Sequence, residues 1–228
     1  MSSWMFYLLI VAPALLTWYA QSRVKSTYRR YEEQHTGSGL SGLETAQRLL
    51  AHYRLFNVAV ERTPGRLTDH CDPTSKTLRL SEGVAGGRSI TSTGVVAHEV
   101  GHAIQDAEGY RLMQVRIRIG TRLGTLTQWS SLVFIGGMLF GLPIFMALGG
   151  LLLAGLVLFS LVTLPLERNA STRALALLTE TGLVADEAER LAVQTVLRAA
   201  AFTYAAGLGR QLANFLFFVF VIVVAREM

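Results

Sequence analysis

From Leu126 to Leu166 the chain carries no charged residue, a run of 41 positions. Nothing else in the sequence restricts the fold as much. A bilayer crossing takes about 20 apolar residues, so the run is too long for one span and long enough for two. In lipid the backbone must satisfy its own hydrogen bonds, which requires helices. Gly141-Leu142-Pro143 supplies the natural break, so 126–166 reads as a transmembrane helical hairpin.

Two more apolar stretches lie at the ends of the chain. Trp4 to Ala20 is apolar apart from Thr17 and reads as an anchor over 4–21. The basic residues Arg23, Lys25, Arg29 and Arg30 follow this run instead of preceding it, and no small-x-small cleavage site appears, which favours an anchor over a signal peptide. Leu212 to Ala225 is short for a span unless Ala205 to Gln211 is drawn in, giving a last helix over 205–225 with Arg210 snorkelling or facing protein. About four transmembrane helices result. Charged residues are 16% of the chain, below the usual share of about 25%, and the net charge of +5 sits beside apolar runs, as at membrane borders. No nucleic-acid motif accompanies it. The single cysteine, Cys71, allows no intramolecular disulfide.

With all four segments spanning, every Lys and Arg except Arg226 falls on the side that holds 22–125 and 167–204. The positive-inside rule places that side in the cytoplasm, at the inner membrane, and the uncharged 141–143 turn outside. Within 22–125, Ser41-Gly42-Leu43-Glu44 forms a capping-box pattern opening a helix through about Tyr53. Asn57 to Glu61 alternates like a strand, and Thr68–Asp72 with Lys76–Leu80 reads as a β-hairpin around Pro73-Thr74-Ser75. Such a strand can serve structure alone or bind an extended peptide along its edge.

The chemistry sits just after that hairpin. His98-Glu99-Val100-Gly101-His102 reads H-E-x-x-H in an apolar helical segment, with N-caps available from Ser89, Thr91 and Ser92 and a stop at Gly109. On a helix, i and i+4 share a face, so both imidazoles can hold one metal ion while Glu99 projects beside it. Two neutral imidazoles suit Zn²⁺, and a catalytic site adds a third protein ligand and leaves a position for water, whose proton Glu99 can take. Candidates for the third ligand are the His70, Cys71, Asp72 cluster, Asp106 and Glu167. Asp106 lies one turn past His102, too near along the axis for a good tetrahedron and better placed to orient an imidazole. Glu167 lies at the exit of the apolar run, beside the small Ala170, where a carboxylate needs a reason such as a metal.

The HEVGHAIQ segment, the hairpin after it, Glu167-x-x-Ala170-Ser171, Asp69-His70-x-Asp72-Pro73 with Leu78 and Leu80, and Thr203-Tyr204-x-Ala206 together resemble the YugP-like neutral zinc metallopeptidase family over nearly the whole chain. More distantly the architecture is similar to the HtpX/Ste24 membrane metallopeptidases. The resemblance implies a mainly α membrane protein with a small zincin-like, gluzincin-type domain containing the β-hairpin. It implies zinc held by His98, His102 and Glu167, Glu99 as general base, and a peptide or membrane-protein substrate at the bilayer. Gluzincins often carry an acid four positions after the ligand Glu, and here Ser171 stands there, which leaves the imidazole partner open between Asp106 and Ser171. Tyr204 is the position implied for carbonyl stabilisation. Two rivals remain: a site-2-type intramembrane protease, disfavoured by the polar flanks Ser89–Thr93 and Gln105–Glu108, and a zinc-stabilised scaffold or adaptor, which would not need Glu99. The substrate's identity and any homo-oligomer are not written in the sequence.

Overall fold

The structure, a computed structural model, describes Leu8 and residues 11–227, and for 121–128 and 223–227 the backbone alone. Its described elements are α1 (Ala12–Glu32), α2 (Gly42–His52), β1 (Ala59–Thr63), β2 (His70–Asp72), β3 (Thr77–Ser81), α3 (Glu82–Gly86), α4 (Ile90–Ala107), α5 (Arg111–Gln128), α6 (Ser130–Leu139), α7 (Pro143–Glu180) and α8 (Glu187–Glu227). They divide into two compact units. Ser22–Gln114 and Pro165–Phe202 form a sheet-bearing unit, and the rest forms an apolar helical unit, with α1, α5, α7 and α8 contributing to both.

In the sheet-bearing unit the local signals act as expected. Ser41 caps α2 by accepting from the Glu44 N–H, and the Glu44 carboxylate accepts from the Ser41 N–H at 2.7 Å, so two orphan donors are satisfied reciprocally. The buried positions of α2, Ala46, Leu49 and Leu50, recur at three and four residues and make its inner face. The hairpin forms with His70 opposite Arg79, Cys71 opposite Leu78 and Asp72 opposite Thr77. β1 joins the other side of β3 in parallel, giving the order β1-β3-β2 and leaving β2 at an edge. Leu78 and Leu80 point from β3 into a core shared with Val96, Val100 and Ile104 of α4, Leu177 and Leu178 of α7, and Val193 and Val196 of α8.

Helix α4 is the centre of this unit. Ser89 caps it by accepting from the Ser92 N–H, and Gly109, at φ +64°, closes it. A β-carbon added at Gly101 would come within 2.8 Å of the Ala170 carbonyl oxygen. That close approach is what lets α7 bring its own residues against the H-E-x-x-H face, and the small Ala170 serves it from the other side.

The apolar unit bears out part of the four-span expectation. Among the described residues, two helices are long and apolar enough to cross a membrane, α7 and α8, and only 11% of the most apolar window of each is buried by protein. So little burial marks surface made for lipid, not the inside of a soluble core. The apolar part of α7 ends at Leu166 and the helix continues through Pro165 without a break. The expected first arm of the hairpin is divided at Trp129: α6 has ten residues, about 15 Å, short of a span by itself. The turn after it forms as expected, with Gly141 at φ +63° and α7 opening at Pro143. The anchor expected over 4–21 lies partly outside the described residues. The last expected span, 205–225, is the end of α8, which runs unbroken from Glu187. Inside this unit Phe134 and Phe218 pack with ring centroids 4.1 Å apart, and the Ser160 hydroxyl donates to Gln211 Oε1.

Candidate metal centre

His98 and His102 project from one face of α4, their rings edge to face at 4.8 Å between centroids. Glu167 enters from α7. Its Oε2 lies 3.1 Å from His98 Nε2 and 3.3 Å from His102 Nε2, and one donor atom from each of the three residues falls within 4.8 Å of the others. Neighbouring donors of a tetrahedral zinc at about 2.0–2.1 Å stand about 3.3–3.4 Å apart, so the two carboxylate–imidazole separations match the ion's spacing, and the three residues could hold a metal. Glu167 is 1% exposed, and His98, at 14%, is the most open of the three side chains. Burial pushes the Glu167 carboxyl up, but hydrogen bonds and charge from His102 and His98 outweigh it and hold it well below the ordinary carboxylate range. It is therefore ionised, as a ligand must be.

What aims the imidazoles is a chain of polar side chains whose direction can be read. Arg173 Nε can only donate, so Asn169 Oδ1, 2.8 Å away, is the acceptor. Gln105 Nε2 donates to that same oxygen at 2.9 Å and to the Leu166 carbonyl at 3.0 Å, which turns Gln105 Oε1 toward His102 Nδ1 at 2.9 Å. With an ion bound, His102 would keep its proton on Nδ1 and turn its Nε2 lone pair to the metal beside Glu167. The chain is anchored at the far end by Arg173 with Glu108, 2.7 Å, at the C-terminal end of α4. For His98 the partner is Ser171 Oγ, 3.2 Å from Nδ1. Ser171 is one helical turn from Glu167, so α7 supplies both a prospective ligand and an imidazole partner.

Glu99 is 9% exposed, and its Oε2 accepts from the backbone N–H of Cys71 at 2.9 Å. Cys71 stands on the edge strand β2, and its N–H points away from β3, toward α4. The other carboxylate oxygen, Oε1, has no hydrogen-bond partner among the described residues. Burial, then the charges of Glu99, Asp106 and Asp72, push the Cys71 thiol up to about 12. It stays a thiol at neutral pH, and it lies outside the cluster of His98, His102 and Glu167. Nearby, Asp69 accepts from the Ser81 N–H at 2.7 Å, and burial raises its carboxyl. Burial, followed by the charges of Glu99 and Asp69, likewise raises the Tyr28 phenol.

Of the residues singled out in the sequence, His98, His102, Glu167, Glu99 and Ser171 meet here. Asp106 does not take the orienting role expected of it, because its carboxylate is drawn to the Lys76 ammonium. Gln105, its neighbour, does so. His70 lies on β2 with its Nδ1 2.7 Å from the Thr68 carbonyl, outside the cluster. Tyr204 belongs to the apolar unit and is 38% exposed. Gln105, Asn169 and Arg173 escaped the sequence reading, although a glutamine at i+3 from a ligand histidine, on an apolar helix, was a visible signal.

A helix-borne His-Glu-x-x-His with a remote glutamate and oriented imidazoles makes a group that could hold a metal ion. The chain belongs to the family described as "Putative neutral zinc metallopeptidase", whose model matches residues 6–223. It is similar to the "Putative membrane protease YugP" of Bacillus subtilis (strain 168), 40% identical over 223 residues that cover 98% of this chain and 99% of that protein. No solved structure matches it.

Proposed function

We propose that this protein is an integral membrane zinc endopeptidase, with His98, His102 and Glu167 as ligands and Glu99 as general base. The observation that carries the reading is Glu167 Oε2 at 3.1 and 3.3 Å from the two Nε2 atoms, with Glu99 beside them. Zinc in this donor set supplies Lewis acidity toward a water and a peptide carbonyl. The chain's own residues do the rest. The Cys71 N–H holds Glu99 Oε2, leaving Oε1 to take the proton from the attacking water and pass it to the leaving nitrogen. Gln105 and Ser171 keep the imidazoles turned so that Nε2 faces the ion. The free edge of β2 lies where an extended peptide could add a strand beside Glu99. The oxyanion role expected of Tyr204 from the family resemblance is tested by Tyr204→Phe, which should lower hydrolysis with zinc content unchanged. The site faces the cytoplasm, and the natural substrates are peptides or membrane proteins.

The direct test is Glu99→Gln in the full chain. Zinc content should be unchanged while peptide hydrolysis falls by about 10²–10⁴-fold, the usual reach of a general base. A folded variant that loses its zinc would remove Glu99 from that role and make it a ligand. The orientation is tested separately in a Cys71→Ser background. Gly141→Cys should react with a membrane-impermeant reagent from outside and Gly37→Cys should not, and the opposite pattern would reverse the proposed placement.

A further inference from the structure

The sheet-bearing unit carries a pocket of about 310 Å³ that the centre described above does not use. One wall is a face of α1, where Lys25, Tyr28, Arg29 and Glu32 follow each other at helical spacing, and Arg66 stands opposite. The floor reaches Thr91 in the first turn of α4, whose hydroxyl donates to the Tyr28 carbonyl at 3.0 Å. Glu32 is engaged by Arg66 at 3.2 Å. Lys25 and Arg29 have no ion-pair or hydrogen-bond partner for their side chains among the described residues. The lining therefore presents the positive charges of Lys25 and Arg29 with no ion-pair partner among the described residues, around a cavity whose Thr91 and Ser81 hydroxyls are already engaged.

Its place in the chain says what could reach it. Arg66 and Leu67 lie in the turn that leads into β2, and β2 is the edge strand whose Cys71 N–H touches Glu99. A peptide added to this edge in the stronger, antiparallel sense runs from the centre toward His70 and then toward Arg66, with its C-terminal half leading. Arg66 and Leu67 stand four to five positions before Cys71 along the chain, so the residues a few positions past the bond at Glu99 are the ones directed toward the pocket. We propose that this pocket binds acidic side chains, or the terminal carboxylate, of a peptide substrate on the C-terminal side of the cleaved bond. The assignment rests on the peptidase reading above and adds the substrate's charge and direction to it.

The experiment uses the full chain, zinc-loaded in a neutral detergent, and has two arms. In the first, the wild type is given a defined peptide library and the cut sites are read by mass spectrometry. In the second, Glu99→Gln is titrated by fluorescence anisotropy with labelled peptides from that library, bearing Glu or Gln in their C-terminal halves. Acidic residues should be enriched after the cut, and each carboxylate should tighten binding by about fivefold, the scale of an exposed ion pair. The acidic-over-amide ratio should fall to one or below in Lys25→Glu/Arg29→Glu and to an intermediate value in Lys25→Gln/Arg29→Gln. Enrichment before the cut, no enrichment, or a ratio unchanged by the double charge reversal would each overturn the proposal. If nothing is cut, the peptidase reading fails in the first arm while the second still decides the pocket. A thermal stabilisation by phosphatidylglycerol over phosphatidylcholine nanodiscs that the double variant abolishes, without any peptide preference, would give the pocket to lipid headgroups and also overturn it.

Discussion

Leu178 and Leu151 lie on the same helix, α7, yet one has no exposed surface and the other is 70% exposed. Leu178 is in the sheet-bearing unit, where protein covers it on every side. Leu151 is in the apolar unit, among Leu142, Ile144, Leu148 and Leu158, all largely uncovered. One residue type thus serves two solvents along one helix. In the first unit apolar surface stabilises the fold by leaving water. In the second it is left for a bilayer, whose chains are as apolar as leucine, so packing between helices has to come from shape and polar contacts such as Ser160 with Gln211. The buried polar residues separate the units as well. The glutamate, histidines and glutamine of the candidate centre are grouped on α4 and α7 inside the sheet-bearing unit, each with named partners.

The largest effect that would sharpen this contrast comes from the centre itself. Glu167→Ala should lower zinc affinity by more than about 100-fold, beyond the cost of losing a ligand's partner, and leave a buried pair of imidazoles without their carboxylate. Metal titration of the detergent-solubilised protein reads it, and near-normal zinc binding would move the third ligand elsewhere. Next comes Leu178→Ala, which opens a cavity in a closed core and should cost about 2–5 kcal/mol, visible as a clear fall in Tm. Gln105→Leu keeps the volume but leaves His102 Nδ1 unaimed. Zinc affinity should fall by about 10–100-fold with the Tm of the metal-free protein nearly unchanged. The smallest effect is expected from Leu151→Ala. In detergent it should shift stability by less than about 0.5 kcal/mol, the usual range for a residue outside any packed core. Similar losses for Leu151→Ala and Leu178→Ala would break the comparison, since they would mean protein covers both.

The sequence made much of this arrangement legible, for reasons that differ from residue to residue. His98 and His102 were readable because a four-residue spacing fixes a shared helix face wherever the helix lies. The capping box at Ser41, the hairpin over 70–81 and the ends of α4 were readable because they are local. Glu167 was within reach because a carboxylate closing an apolar run is costly without a partner. The chain Arg173-Asn169-Gln105 was not, since it joins residues more than sixty positions apart through side-chain directions that only the fold fixes. Asp106 was misjudged for the same reason: its helix face was foreseen, but the reach of Lys76 from the hairpin was not. The span count was legible only in part: two of the four expected spans stand out among the described residues. A charge-free run tells how much apolar chain there is, not where its helix will be divided, and the interruption at Trp129 leaves no composition signal.

His102 and Glu167 stand 65 positions apart, and the intervening chain includes α5, α6 and all of the apolar part of α7. An ion gripping both residues closes that stretch into a ring. By chain entropy alone, tying off a loop of this length disfavours the unfolded ensemble by about 4 kcal/mol. On the proposed ligand set, a chelator would do more than empty the candidate site: it would untie a large, mostly apolar loop. The metal-free protein is then the form expected to clump, so loss of solubility during purification becomes a gauge of metal occupancy.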